Sequence, residues 1–187
     1  MPVLQLLILA MTALIASTVA AITGFGGAAV LLPILIWLFG MKEAVPILTI
    51  AQLFGNGSRV WFNRAAVDFR VILWFSLGGV PLAILGGLLF AKAPLSVLTR
   101  LLGAFLILIV VVKHSRRTQL FRPTLHQFAM IGAAASLLSA LLGSVGPLMA
   151  PFFLAYGLMK GAYIGTEALS TVVMHIFKLL AYGHLTC

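Results

Sequence analysis

Acidic side chains are nearly missing from this sequence. Its 187 residues include three, Glu43, Asp68 and Glu167, and only 8% of the chain is charged. A soluble domain carries about 25% charged residues. So few charges cannot clothe a water-facing surface, which excludes an ordinary soluble globule. Cysteine is reduced to Cys187 alone, which rules out an intrachain disulfide and a cysteine-based metal site. No Lys or Arg precedes Lys42, so the basic start of a signal peptide is missing and the first apolar segment is expected to be a retained span. Enzyme signatures are missing too. There is no His-Glu-x-x-His and no Gly-x-Ser-x-Gly, and "GNGSR" at 55–59 lacks a following Lys-Ser/Thr. The sequence therefore predicts neither an enzyme nor a cofactor or metal protein.

What fills the chain is apolar: 63% hydrophobic, with a mean hydropathy of +1.20. The runs are continuous rather than alternating, which selects helices over a barrel. The expected fold is an all-α polytopic membrane protein. Its partner is the lipid bilayer, and its place is the cytoplasmic (inner) membrane, crossed several times. The net charge of +9 calls for no nucleic acid, because most of the cations lie between apolar runs. Arg59, Arg64 and Arg70 gather around one connection, and Lys113, Arg116, Arg117 and Arg122 around another. Both are expected on the cytoplasmic side.

Val3 to Met41 holds no charge over 39 residues. As one helix it would be ~58 Å long, roughly twice a ~30 Å hydrocarbon core. It must break, and Thr23-Gly24-Phe25-Gly26-Gly27 is the place. Further apolar runs follow at 44–61, 70–90, 95–112, 126–142, 145–159 and 161–182.

The break recurs. "LLPILIWLFGMKEA" returns as "LMAPFFLAYGLMKGA": Pro33 with Pro151, Met41 with Met159, Lys42 with Lys160, Ala44 with Ala162, each pair 118 apart. Gly24, Gly26 and Gly27 precede the first copy; Gly143, Gly146 and Pro147 precede the second. The chain thus divides into a first transmembrane repeat at 1–117, a cytoplasmic linker at 118–125 and a second, apparently incomplete repeat at 126–187. Gly/Pro-broken segments at matched positions of two halves point to a transporter's binding site. Freed backbone groups at membrane depth are tolerated only inside protein or beside a watery cavity. A helix restarting there aims its positive end at an anion. Four or five spans per half both fit the charges.

Polar stripes follow each break. Thr49, Gln52, Asn56 and Arg59 share one helix face, as do Glu167, Thr171, His175 and Lys178, with Thr166 and Ser170 beside them. Ser170 lies 118 after Gln52. Arg59 and Lys178 are expected to snorkel to the headgroups. Glu167 is expected to pair with Lys160 or to titrate. With His175 it is the candidate for proton coupling.

"GFGGAAVLLPIL", "AVPILTIAQLFGNGSRVWFNRAAVDFR", "GGVPLAILGGLL" and "LLGSVGPLMAPFFLAYGLMKGAYIGTEALSTVVMHIFK" together resemble the TauE/SafE sulfite exporter family, in order and spacing, from about Thr18 to Gly183. The resemblance implies a duplicated helical bundle with Gly/Pro-broken helices. It would act as a secondary exporter of a small anion such as sulfite, sulfoacetate or another organosulfur or organic anion, and could form homo-oligomers. The resemblance places Gly24, Gly26, Gly27 and Pro33 at the first break and Gly143, Gly146, Pro147 and Pro151 at the second, where the substrate would sit. The polar residues after each break, Thr49, Gln52 and Asn56 and then Thr166, Ser170 and Thr171, are expected to line the same site. Where the family's second motif has a glycine-rich triplet, this chain has Ser144-Val145-Gly146-Pro147. Family members also continue with further helices after the segment matching "TVVMHIFKLLAYG". The rival reading is therefore a membrane scaffold, or a truncated paralogue needing a partner, without transport of its own.

Overall fold

The structure is a computed structural model that describes residues 3–23, 27–114 and 122–183. Among them every regular element is helical: α1 (Val3–Thr23), α2 (Gly27–Phe39), α3 (Met41–Asn63), a 3₁₀ turn (Arg64–Ala66), α4 (Phe69–Lys92), α5 (Leu95–His114), α6 (Gln127–Leu142), α7 (Gly146–Tyr156) and α8 (Lys160–Gly183). The first expected break falls on residues 24–26, outside the described ones; α1 is described to Thr23 and α2 from Gly27, and the two helices pack against each other. The second break is there. Gly143 closes α6 at φ +90°, a conformation that favours glycine, and α7 begins at Gly146 with Pro147 in its first turn. Two of the described helices, α4 and α8, are long and apolar enough to cross a membrane by length and composition. With 13 and 11 residues, α2 and α7 reach only ~20 Å and ~16 Å and fall short of a ~30 Å core.

The packing centres on α4, which lies against both α6 and α8. Small residues permit it. A side chain on Gly78 would collide with the carbonyl of Ala129, and one on Gly132 with the carbonyl of Phe75. Further along α4, a Cβ on Gly86 would stand 2.7 Å from that of Ala140, and one on Gly87 2.6 Å from that of Ala181. The helices touch backbone to backbone, and larger residues would prise them apart. Beyond this seam Phe75, Phe128 and Phe153 stack in one apolar cluster, with Phe128 and Phe153 ring centres 5.1 Å apart. A second cluster forms where α1, α2 and α3 meet around Leu35, Ala44, Val45 and Leu48.

α3 and α8 cross closely for the same reason. At Gly165 an added Cβ would come within 3.0 Å of the Asn63 Cβ, and at Gly161 within 2.9 Å of the Asn63 Oδ1. The turn after α3 is held by α8. The Asp68 N–H donates to Thr166 Oγ1 at 2.9 Å, while the Asp68 carboxylate caps α4 through the N–H groups of Arg70 and Val71. Thr166→Val keeps the shape and removes that acceptor. It is expected to lower stability by about 1 kcal/mol, seen as a small fall in the unfolding temperature of detergent-purified protein. An unchanged value would mean that this turn takes its order from elsewhere.

Candidate functional site

A cavity of about 370 Å³ lies where the two breaks face the two polar stripes. Its wall includes the first residues of α2, Gly27 and Ala28, and the start of α7 at Ser144, Val145 and Gly146. Both helix N-termini therefore turn partial positive charge toward the same space. No side chain caps α7; Leu148 and Met149 donate their N–H groups to Val145 O at 2.9 and 3.2 Å and Pro147 has none, so Gly146 offers the N–H at this end. From α3 come Gln52, Asn56 and Arg59; from α8 come Glu167, Thr171 and His175. Apart from a few serines the rest of the wall is apolar, notably Leu31, Leu48, Phe75, Met149, Phe153 and Met174.

The polar wall is a connected chain. Arg59 Nη1 donates to Asn56 Oδ1 at 2.8 Å, and Arg59 Nη2 donates to Glu167 Oε2 at 3.0 Å. Thr171 Oγ1 completes it by donating to Glu167 Oε1 at 3.4 Å. The 3.6-residue period put Asn56 and Arg59 on one face of α3, and Glu167 and Thr171 on one face of α8. The close crossing at Gly161 and Gly165 brings those faces together. The Arg59 side chain is 17% exposed and that of Glu167 5%. Arg59 thus does not snorkel to the headgroups, and Glu167 pairs with Arg59 rather than with the exposed Lys160. An ion pair across two helices satisfies both groups at a depth where either alone would be costly.

Lys178 does not snorkel either. It is fully buried, with Nζ donating to Ser139 O, Ser139 Oγ and Gly143 O at 3.3, 3.2 and 3.4 Å. Gln52 Nε2 reaches the same Gly143 carbonyl at 3.2 Å. A carbonyl released by the break of α6 is thereby satisfied from α3 and α8 together. His175 lines the cavity fully buried, and neither ring nitrogen has a hydrogen-bond partner.

The other sequence candidates are placed differently. Thr49 is buried and turns its hydroxyl back to Val45 O on its own helix. Thr166 is spent on Asp68. Ser170 is buried with its hydroxyl unpartnered, and it stands outside the cavity wall. Pro33 and Pro151 face outward and do not touch the cavity. Gly24 and Gly26 lie outside the described residues. Sequence reasoning missed Ser17, Ser58, Ser139 and Ser144, which line the wall. Serines in apolar helices are common, and only the helix partners single these out. One signal was available for Ser139: it lies one turn before the break, at Gly143.

Of the nine buried polar or charged side chains among the described residues, five belong to α8. No curated protein and no solved structure matches the chain. A family model, "Sulfite exporter TauE/SafE", matches residues 9–186. That match covers nearly the whole length, and the chain accordingly belongs to the TauE/SafE family of membrane transporters.

Proposed function

We propose that the chain is a polytopic, duplicated transporter that exports a small anion, sulfite or an organosulfonate, through the cavity between α3 and α8. The observation that carries this reading is the meeting of two helix starts with Gln52, Arg59 and His175 around one cavity. Hydrogen-bond donors and positive helix ends converge there, while the only carboxylate in the wall, Glu167, is already matched by Arg59. An anion finds donors without meeting a free negative charge. Duplication is supported by the element bounds. Those of α2 and α3 recur in α7 and α8 within two residues of a 118-residue shift. On this reading residues 1–117 and 126–187 are the two repeats, α2 and α7 are half-spans, and 118–125 is cytoplasmic.

Thermal unfolding of the detergent-purified chain against sulfite, sulfoacetate, taurine, sulfate, phosphate and chloride tests the site. A ligand of the native state at a hundred times its Kd adds about 2.7 kcal/mol. Sulfite or a sulfonate is expected to raise the unfolding temperature selectively. Gln52→Ala and His175→Ala should reduce that rise. A well-folded sample with the same unfolding temperature in every anion removes the cavity as an anion site.

A further inference from the structure

The last turn of α6 leaves carbonyl groups without helical partners, and their dipoles add to a partial negative charge. In transporters with broken helices, such freed carbonyls and half-helix carboxyl ends commonly hold a coupling cation. Here the position is filled from within the chain. Lys178 Nζ sits among Ser139 O, Ser139 Oγ and Gly143 O at 3.2–3.4 Å, and its side chain is 0% exposed. Two of these oxygens are carbonyls, which can only accept; Ser139 O also takes the Gly143 N–H at 2.9 Å, and Gly143 O the Gln52 amide at 3.2 Å, each leaving its second lone pair to the ammonium. Three acceptors match the three N–H donors of an ammonium. They are also hard, neutral oxygen ligands of the kind an alkali-metal ion takes.

No side-chain carboxylate competes for Lys178. Glu167 is engaged by Arg59, Asp68 caps α4, and Glu43 lies beside Gly40. The arrangement is not shared by the first half. Counting back 118 residues from Lys178 and Ser139 gives Val60 and Ala21, with neither ammonium nor hydroxyl. Lys178 lies outside the cavity wall, whereas His175, one turn earlier, is part of it. The charge belongs to the break rather than to the bound ligand.

We propose that the Lys178 ammonium is a tethered cation occupying, at the carboxyl end of α6, the position a bound alkali-metal ion would take. The second break is then held in shape with no free cation, and neither folding nor ligand binding requires sodium or potassium at that place. This is independent of which anion the cavity accepts.

The test is thermal unfolding of the full chain in NaCl, KCl and choline chloride at equal concentration, with chloride common to all so that anion binding cancels. The wild type is expected to unfold at one temperature in all three. Lys178→Ala empties the position. It is expected to unfold several degrees lower in choline chloride and to recover progressively with added NaCl, KCl or methylammonium chloride, the last restoring the deleted head group. Lys178→Met fills the space with apolar atoms, so it should stay low in every salt. Should Lys178→Ala not assemble, Lys178→Gln carries the same comparison, because it keeps volume and adds an oxygen ligand. A wild type stabilised by sodium or potassium over choline overturns the proposal. So does a Lys178→Ala or Lys178→Gln protein that no small cation restores, or one as stable as wild type in choline chloride.

Discussion

Gly132→Leu is expected to dismantle the contact between α4 and α6. Its side chain would be driven into the backbone of Phe75, and a carbonyl cannot swing aside as a rotamer can. Overpacking a tight core costs about 1–3 kcal/mol when side chains can adjust. Here the helices themselves must separate, so the loss should reach the top of that range or exceed it. It should spread along the seam, because Gly78, Gly86 and Gly132 all rely on the same approach. Gly103→Leu on α5 is the matched control, since an added Cβ there has nothing within 4 Å. It should be neutral or gain up to about 1 kcal/mol, from better helix propensity. Fluorescence-detected size exclusion and thermal unfolding of both variants separate the cases. A Gly132→Leu protein as monodisperse and heat-resistant as Gly103→Leu would refute the packing of α4 on α6.

Glu167→Ala carries the second large effect. It leaves the Arg59 guanidinium, whose side chain is 17% exposed, with only Asn56 Oδ1 as a side-chain acceptor. Breaking a buried pair by removing one partner costs about 3–5 kcal/mol, mostly for the stranded charge. Arg59→Ala should cost a similar amount by stranding Glu167. The double variant Arg59→Met with Glu167→Met removes both charges and fills the volume. It should regain most of the stability, because exchanging a buried pair for apolar residues is often close to neutral. It should nevertheless lose ligand-dependent stabilisation, since Arg59 and Glu167 line the cavity. With the matching single variants Arg59→Met and Glu167→Met and the wild type, the four unfolding temperatures form a double-mutant cycle. Additive losses would mean that the two side chains do not interact. Full anion response in the double variant would mean that the pair serves packing alone.

The break points were readable because glycine and proline act locally. Gly143 takes φ +90°, which a side chain would strain, and Pro147 suits the first turn of α7, where the missing N–H costs nothing. The expected run at 145–159 is therefore α7 within a few residues, and the run at 161–182 is α8. The polar stripes were readable for a similar reason. The 3.6-residue period decides which residues share a face whatever that face meets. Where the expectation assigned a destination, it went astray. Arg59 and Lys178 looked like snorkelling cations, because each stands near the end of an apolar run and carries a long flexible stem.

All-helical architecture, the two interruptions and the family were thus determined by composition, local backbone chemistry and motif order. The partners of the buried charges were decided by tertiary structure. Glycines at 161 and 165 let α8 approach α3 until Glu167 meets Arg59. Glycines at 78, 79, 86 and 132 seat α4 against α6. The placement of α6 beside α8 puts Ser139 and Gly143 around Lys178. Residues more than a hundred positions apart in the chain, such as Arg59 and Glu167, are matched only through the rise and rotation of two packed helices. A shift of one residue in that packing would present a different side chain, and no local rule records it.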